Sequence, residues 1–288
     1  MIVPVSAALR DREQALFERL RGAGRLLVAF SGGVDSSYLA WAASQALGEN
    51  ALAVTAVSPS YPASHRAMAE RIVSDFGLAH RFVETREMEN VAYRRNAPDR
   101  CYHCKSELFA RMESLLDELG YDALAYGINL DDRGDHRPGH RAAAEHRVLA
   151  PLLDAGLDKA AIRSLARDAG LPCWDLPASA CLASRLPYGT EVTRERLAQV
   201  EAGEERLREL GFRQVRLRHH DDVARIEIDP RELDGGLSAV RLREIAAAIK
   251  PLGFRYVCLD LDGYRMGSLN AGLPELERVV SGPPAPGR

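Results

Sequence analysis

The chain has 288 residues, 46% of them hydrophobic, which is enough for one large or two modest domains with apolar cores. Its 38 Lys and Arg residues nearly balance 41 Asp and Glu residues, and the net charge of −3 argues against a protein that coats nucleic acid or binds a membrane surface. The sequence has no apolar run of membrane-spanning length, and its start lacks a basic segment followed by an apolar core, so we expect a cytoplasmic protein.

Hydrophobic periodicity predicts alternating strands and helices over the first 170 residues. After a leading helix over 5–21, strands are predicted at 25–30, 51–57, 80–84, 122–127 and 147–150, and helices at 36–47, 62–76, 105–119 and 158–169. This alternation is typical of an α/β fold with a doubly wound parallel sheet. Such sheets bind ligands at the carboxyl ends of their strands.

The first of these strands runs into a glycine turn, Ser31-Gly32-Gly33-Val34-Asp35-Ser36, and then into a helix. Unpaired N–H groups and the positive end of the helix dipole make this turn an anion site, to which Ser36 and Ser37 add hydroxyl donors. The G-x-x-x-x-G-K-[ST] phosphate loop is absent, because no Lys follows the glycines.

The same hexapeptide resembles the PP-loop of ATP pyrophosphatases, which split ATP between the α and β phosphates. The resemblance implies that Ser31, Gly32, Gly33, Asp35, Ser36 and Ser37 bind ATP. Asp35 is also the candidate catalytic residue that helps to hold Mg²⁺.

Two further strand ends match the nucleotide site of these enzymes. Ser58 follows the second strand, where PP-loop enzymes place the adenine. Residues 127–132 resemble their second nucleotide loop, in which Gly127, Asn129 and Asp132 are candidate contacts and Asp132 is a second candidate for Mg²⁺. Residues 131–140 are predicted to form a mobile lid.

The composition changes after residue 170. We predict a nucleotide-binding domain over 1–170, a connector near the active site over 171–190, a small α+β domain over 191–275 and a disordered tail over 276–288. The small domain has predicted helices at 192–210 and 239–250 and strands at 214–219, 223–228 and 255–261, and it serves substrate binding or oligomerisation. Arg216 and Arg218 lie on one strand face, where they can clamp a phosphate, although such pairs are also common on plain surfaces.

The five cysteines are odd in number and unevenly spaced, which argues against a disulfide framework. Cys101 and Cys104 form a C-x-x-C at a helix start, which suits half a zinc site, a redox dithiol or an iron–sulfur ligand pair. Cys181 lies in the connector near Arg185, which can favour the thiolate. We interpret Cys173 and Cys258 as packing residues.

Four segments together resemble the LarE family, the ATP-dependent sulfur transferases of nickel-pincer nucleotide cofactor synthesis. These segments are 31–36, 127–132, 177–185 and 259–270. The resemblance implies that ATP adenylates the carboxylates of pyridinium-3,5-biscarboxylic acid mononucleotide, a nicotinate-derived mononucleotide, and that sulfur then replaces AMP to give thiocarboxylates.

The source of that sulfur differs between members of the LarE family. Some members sacrifice a single cysteine, which resembles Cys181 here. This chain also has Cys101 and Cys104, so it resembles the second type, in which three cysteines hold a [4Fe–4S] cluster and the open iron carries a replaceable sulfide. A sulfide source is then a required partner.

The resemblance also assigns residues and partners outside the loops. It implies that Arg185, Arg216 and Arg218 contact the nucleotide or the substrate, that Glu227 is a metal ligand, and that the chain forms a homo-oligomer such as a hexamer. The alternatives are sacrificial sulfur donation from Cys181, tRNA thiolation, an ammonia-using amide ligase such as NAD synthetase, and a nucleotide-sensing or carrier module. The balanced charge and the lack of an RNA-binding motif make nucleic acid an unfavoured partner.

Overall fold

The computed structural model describes residues 5–132, 138–177 and 180–265. Contacts divide the chain into two compact units, the first formed by Met1–Glu87 with Cys101–Ser179 and the second by Met88–Arg100 with Ala180–Arg288. Residues 88–100 thus group with the C-terminal part of the chain, whereas the sequence predicts one unbroken first domain up to residue 170.

The first unit contains a parallel sheet of four strands in the order β3-β2-β1-β4. The strands are β1 Leu26–Ala29, β2 Ala51–Val57, β3 His80–Glu84 and β4 Ala123–Tyr126. Their register pairs Leu26 with both Ala51 and Ala123. The predicted doubly wound α/β fold is confirmed, and β1 lies centrally with its carboxyl end next to that of β4.

The prediction of a fifth strand over 147–150 is wrong. Only Leu149 bridges to the sheet, opposite Ala125. Arg147 before it has a φ of 51°, and Pro151 after it begins a helix, so the extended segment has room for one bridging residue.

Helices cover both faces of this sheet. They are α1 Ala7–Arg21, α2 Val34–Leu47, α3 Ala63–Phe76, α5 Arg100–Leu119, α6 Pro138–Glu145, α7 Pro151–Asp154 and α8 Lys159–Asp168; a short α4, Val91–Arg94, belongs to the second unit. Two apolar clusters result, one joining α1, α2 and α8 to the sheet and the other joining α5 to its opposite face. α5 begins five residues earlier than predicted, so Cys101 and Cys104 lie within its first five residues.

The second unit contains a sheet of three described strands, in which β6 is central. β5 Val215–His220 and β6 Val223–Ile228 are antiparallel, and β7 Tyr256–Leu259 is parallel to β6. The helices are α9 Arg194–Glu209, α10 Pro230–Asp234 and α11 Ala239–Ile249. The short helices α4, α7 and α10 were not predicted, because four or five residues are too few to show a helical period.

Several predictions concern residues outside the described ranges. The central part of the predicted lid (133–137), the end of the fourth family segment (266–270) and the predicted tail (276–288) are among them. Within the described ranges, no helix is both long enough and apolar enough to cross a membrane.

Candidate active site

The loop between β1 and α2 forms a tight turn that leads directly into the amino end of α2. Gly32 has a φ of 76°, and a Cβ added there would lie 2.8 Å from the carbonyl oxygen of His65. The Ser36 hydroxyl accepts from the Ser31 N–H (3.1 Å), donates to the Gly33 carbonyl (3.0 Å) and lies 3.0 Å from Ser31 Oγ. The loop is therefore fixed by its own side chains in a form that suits phosphate binding.

Ser37 lies differently from the other predicted contacts of this loop. Its side chain is fully buried, and its hydroxyl has no hydrogen-bond partner among the described residues; burial also raises the pKa of the Cys173 thiol. The Ser37 side chain thus faces the core. Without a movement of the loop only the backbone of Ser37 can contact ATP, and its part in binding remains a prediction. Cys173 is fully buried, as its interpretation as a packing residue requires.

Asp35 carries the main charge of the loop, and its carboxylate pairs with the ammonium of Lys159 at the start of α8. Burial raises the pKa of Asp35, while Lys159 opposes the rise and Asp132 adds to it. The second oxygen, Oδ1, is buried and has no hydrogen-bond partner among the described residues. An unsatisfied carboxylate oxygen close to a second carboxylate fits a Mg²⁺ site, since Mg²⁺ prefers oxygen ligands.

Lys159 was not predicted as a site residue. The only sequence signal was its place directly after Asp158, which caps α8 by accepting from Ala161 N–H at 2.7 Å. The pairing depends on the fold, since 124 residues separate Lys159 from Asp35.

The loop after β4 packs against the first loop. A Cβ on Gly127 would lie 2.8 Å from the backbone nitrogen of Ser36, so only glycine permits this approach. Asn129 Oδ1 accepts from the Asp131 N–H (2.9 Å), and Asp132 Oδ2 accepts from the Asn129 N–H (3.2 Å). The structure thus brings the predicted residues of both loops to one edge of the sheet.

Gly127→Ala should therefore disrupt nucleotide binding. The added methyl meets backbone atoms, which cannot move aside as a flexible side chain could, so we expect at least a tenfold loss of ATP turnover and about 1–3 kcal/mol of destabilisation. Pyrophosphate release and thermal unfolding measure the two effects. Gly22→Ala is the matched control, since Gly22 has an ordinary φ of −77° and the nearest atom to an added Cβ is 3.5 Å away. Equal behaviour of the two variants would contradict the close packing of the loops.

A chain of polar groups follows β2 at the predicted adenine position. Ser58 Oγ lies 2.9 Å from Ser60 Oγ, which in turn donates to Glu87 Oε1 at 3.1 Å. Ser60 and Glu87 are buried, and neither was predicted, because a serine and a glutamate 27 residues apart show no pattern in the sequence.

In the second unit, Arg185 is buried and forms two hydrogen bonds with the buried carboxylate of Glu204, at 2.8 and 3.0 Å. Burial alone would raise the pKa of Glu204, but Arg185 holds it below its usual range. Arg185 Nη1 also donates to the carbonyls of Ala180 (2.7 Å) and Cys181 (3.1 Å). Arg185 therefore anchors the segment that carries Cys181, and a direct contact with nucleotide remains a prediction.

We expect Arg185→Met to destabilise the protein by about 3 kcal/mol, because it leaves the buried Glu204 carboxylate with Arg208 as its one remaining salt-bridge partner among the described residues. Chemical denaturation measures the loss. Arg206→Met, which removes an exposed pair with Glu209 on the same helix, should cost less than about 1 kcal/mol. A similar small cost for Arg185→Met would show that the buried pair contributes little.

Arg216, Arg218 and Glu227 lie on the polar face of the second sheet. Arg218 pairs with Glu227 at 2.7 Å, and Arg225 reaches the same carboxylate at 3.2 Å. The Arg216 guanidinium lies over the Tyr264 ring, 5.0 Å from its centroid. Burial lowers the pKa of Arg216, and the positive charge of Arg185 lowers it further. The register places Arg216 opposite Glu227, so the predicted neighbours do meet. The guanidinium groups of Arg218 and Arg225 both pair with the Glu227 carboxylate. The role of Glu227 as a metal ligand remains a prediction.

The five cysteines all carry thiols and form no disulfide. Cys101 is exposed and Cys104 half-buried in the first unit, and Cys181 is half-buried in the second. Cys258 is exposed, so its interpretation as a packing residue is wrong, because β7 lies at the edge of the described sheet. Within the described ranges, no three or more His, Cys, Asp or Glu side chains converge in a group that could hold a metal ion.

The parallel sheet, its Ser-Gly-Gly-x-Asp-Ser loop and the carboxylates beside that loop define an ATP pyrophosphatase of the PP-loop class. The sequence profile of the family described as asparagine synthase matches residues 9–115. The pyridinium-3,5-bisthiocarboxylic acid mononucleotide synthase of Lactiplantibacillus plantarum is 34% identical over 94% of this chain and 98% of its own length. The chain belongs to the family of that synthase, and the predicted ATP-using sulfur transferase is confirmed.

Two further relatives are similar over most of their length. An uncharacterized protein of Synechocystis sp. is 44% identical over 85% of this chain and 92% of its own length. An uncharacterized protein of Methanocaldococcus jannaschii is 27% identical over 84% of this chain and 91% of its own.

Proposed function

We propose that this chain uses ATP to activate the carboxylates of pyridinium-3,5-biscarboxylic acid mononucleotide and converts them to thiocarboxylates. The observation that carries this proposal is the near full-length similarity to the Lactiplantibacillus plantarum synthase, whose name states the bisthiocarboxylic product. The loop geometry agrees with the first half of the reaction.

Activation is needed because a carboxylate is a poor electrophile. Attack of a carboxylate oxygen on the α-phosphorus of ATP forms an acyl adenylate and releases pyrophosphate. The amide groups at the start of α2 and the Ser36 hydroxyl stabilise the charge that develops on the pyrophosphate. Asp35 and Asp132 are the residues that would hold Mg²⁺, which supplies positive charge to the phosphates when bound.

The substrate carries a phosphate and two carboxylates, so it needs cationic partners. Arg216 and Arg218 supply guanidinium groups on one sheet face, and the planar fork of arginine suits both anions. We assign them to substrate binding in the second unit.

Cys101, Cys104 and Cys181 are the residues that would hold a [4Fe–4S] cluster as the source of the sulfur. Three thiolates are the protein ligands that such a cluster requires, and none of these thiols is fully buried or in a disulfide. When bound, such a cluster would supply an exchangeable sulfide. Displacement of AMP from the acyl adenylate by sulfur at the sulfide level completes the exchange of oxygen for sulfur.

The activation step is tested by following AMP and pyrophosphate with the pyridinium mononucleotide, with nicotinate mononucleotide and with bulk tRNA. We expect both products only with the pyridinium dicarboxylate. Stimulation by tRNA, together with salt-sensitive tRNA binding, would support tRNA thiolation instead.

The sulfur source is tested separately by iron and sulfide analysis after anaerobic purification. We expect a brown protein with about four irons per chain. A colourless, iron-free protein that is active once, and that loses the mass of one H₂S at Cys181, would support sacrificial donation.

We also propose a cytoplasmic homo-oligomer. Reduced thiols are typical of the cytoplasm, which agrees with five cysteines outside disulfides. Sedimentation analysis at several concentrations measures the oligomeric state.

A further inference from the structure

The row of hydrogen bonds after β2 in the first unit has no role in the chemistry described so far. Ser58 is half-buried, whereas Ser60 and Glu87 are only 3% and 2% exposed. Glu87 Oε1 accepts from the Ser60 hydroxyl at 3.1 Å, but Oε2 is buried and has no hydrogen-bond partner among the described residues. A buried carboxylate with an unpartnered oxygen costs free energy, so stability does not explain a glutamate here.

The Glu87 carboxylate sets the direction of every hydrogen bond in this row. An ionised carboxylate accepts and cannot donate, so the single hydrogen of the Ser60 hydroxyl points to Glu87. The contact of 2.9 Å between Ser58 Oγ and Ser60 Oγ therefore takes its hydrogen from Ser58. Ser58 Oγ also accepts from the Ser60 N–H at 3.2 Å, which leaves it one lone pair and no hydrogen. Toward a ligand, the Ser58 hydroxyl is thus an acceptor and not a donor.

Ser58 lies beside the loop 31–36. It directly follows β2, whose parallel neighbour β1 leads into that loop. The Tyr61 hydroxyl donates to the Ser31 carbonyl at 3.1 Å and joins the two loops. β2 and β4 flank β1, and the β4 side carries the carboxylate of Asp132, which suits Mg²⁺. The β2 side, with its uncharged hydroxyls, is therefore the side for the base of a nucleotide whose phosphates lie at the start of α2.

A fixed acceptor distinguishes adenine from the 6-oxo purines. Adenine carries an amino group at C6, which donates, whereas guanine and hypoxanthine carry an oxygen at C6, which accepts. An acceptor held opposite C6 binds the amino group. The same acceptor repels the oxygen and leaves both polar groups unpaired, which weakens binding of the 6-oxo base.

We infer that Glu87 is a positioning residue that selects adenine: through Ser60 it fixes Ser58 Oγ as an acceptor for the 6-amino group of ATP. Ser58 contacts the base, and Glu87 and Ser60 act through it. This inference rests on the ATP-using step of the proposed function and deepens it, because it names the group that distinguishes ATP from inosine and guanosine triphosphates.

The test compares how tightly the full chain binds ATP and inosine triphosphate. Inosine triphosphate has the same ribose and phosphates and carries an oxygen in place of the 6-amino group. Isothermal titration calorimetry with Mg²⁺ measures both affinities without the pyridinium mononucleotide, so the result does not depend on sulfur transfer. We expect the wild-type protein to bind ATP at least about tenfold more tightly than inosine triphosphate.

Two variants release the Ser58 hydroxyl in different ways. Glu87→Gln keeps the size of the side chain and adds an amide that can donate to Ser60, so the row can reverse and Ser58 can donate to a 6-oxygen. Ser60→Ala breaks the row and lets the Ser58 hydroxyl turn. Each should lower the preference for ATP over inosine triphosphate about fivefold or more. Glu84→Gln, the same change at an exposed position of β3, should keep the wild-type preference.

The ratio of the two affinities is the readout, because a merely structural residue would weaken both nucleotides alike. Circular dichroism shows which variants are folded, and Ser60→Ala decides the test if Glu87→Gln does not fold. Wild-type protein that binds both nucleotides equally, or a folded variant of either residue that keeps the wild-type ratio, would overturn the inference. The proposed substrate fails separately: a protein with the expected ratios that makes no thiocarboxylate contradicts the pyridinium substrate and retains the selection of adenine.

Discussion

Cys101→Ala should abolish repeated sulfur transfer while leaving ATP activation in place. With two thiols left, the chain should lose the brown colour and most of its iron, and turnover beyond one sulfur per chain should fall at least a hundredfold. Substrate-dependent AMP formation should remain within about threefold of wild type, because Cys101 lies outside the loops that bind the nucleotide. Iron content, product per chain and AMP release are measured on the same anaerobic preparation.

Cys258→Ala is the matched control for this prediction, since Cys258 is an exposed thiol outside the proposed set. It should keep the iron content and multiple turnover of wild type. Undiminished multiple turnover in iron-depleted Cys101→Ala would show that the sulfur does not come from a three-cysteine cluster.

Asp35→Asn should remove the activation step itself. The substitution keeps the shape of the side chain but removes the charge that fits Mg²⁺, and it leaves the half-buried Lys159 ammonium without its partner. We expect a loss of AMP formation of about a hundredfold or more with little change in iron content. Pyrophosphate release at several Mg²⁺ concentrations measures the effect.

An exposed carboxylate on a neighbouring helix provides the control for Asp35. Asp75→Asn on α3 removes one surface charge and should leave AMP formation within about twofold of wild type. If Asp35→Asn released pyrophosphate at the wild-type rate, Asp35 would have no part in holding the metal or the phosphates.

The nucleotide half of the site could be predicted from the sequence because its signals are local. A strand, a glycine turn and a helix start are encoded by adjacent residues, so the ends of β1 and β4 were located to within one residue. The alternation of strands and helices then placed both loops at one edge of the sheet.

The residues that sequence reasoning missed are joined by long-range contacts. Lys159 reaches Asp35, and Arg100 reaches Ala183 over 83 residues, and neither pair leaves a periodic signal. The grouping of residues 88–100 with the second unit was missed for the same reason, since Arg94 and Asn96 form hydrogen bonds with residues 187–192, more than 90 positions along the chain, and no break in composition marks the segment.

The central claim is that one chain couples AMP formation to the exchange of oxygen for sulfur. The direct measurement is mass spectrometry of the products formed from ATP, Mg²⁺, sulfide and pyridinium-3,5-biscarboxylic acid mononucleotide, with AMP counted in parallel. We predict thiocarboxylate products in which each sulfur gained corresponds to one AMP, accumulating beyond one sulfur per chain when the cluster is intact. AMP formation that leaves the mononucleotide without sulfur, or release of ADP in place of AMP, would contradict this account.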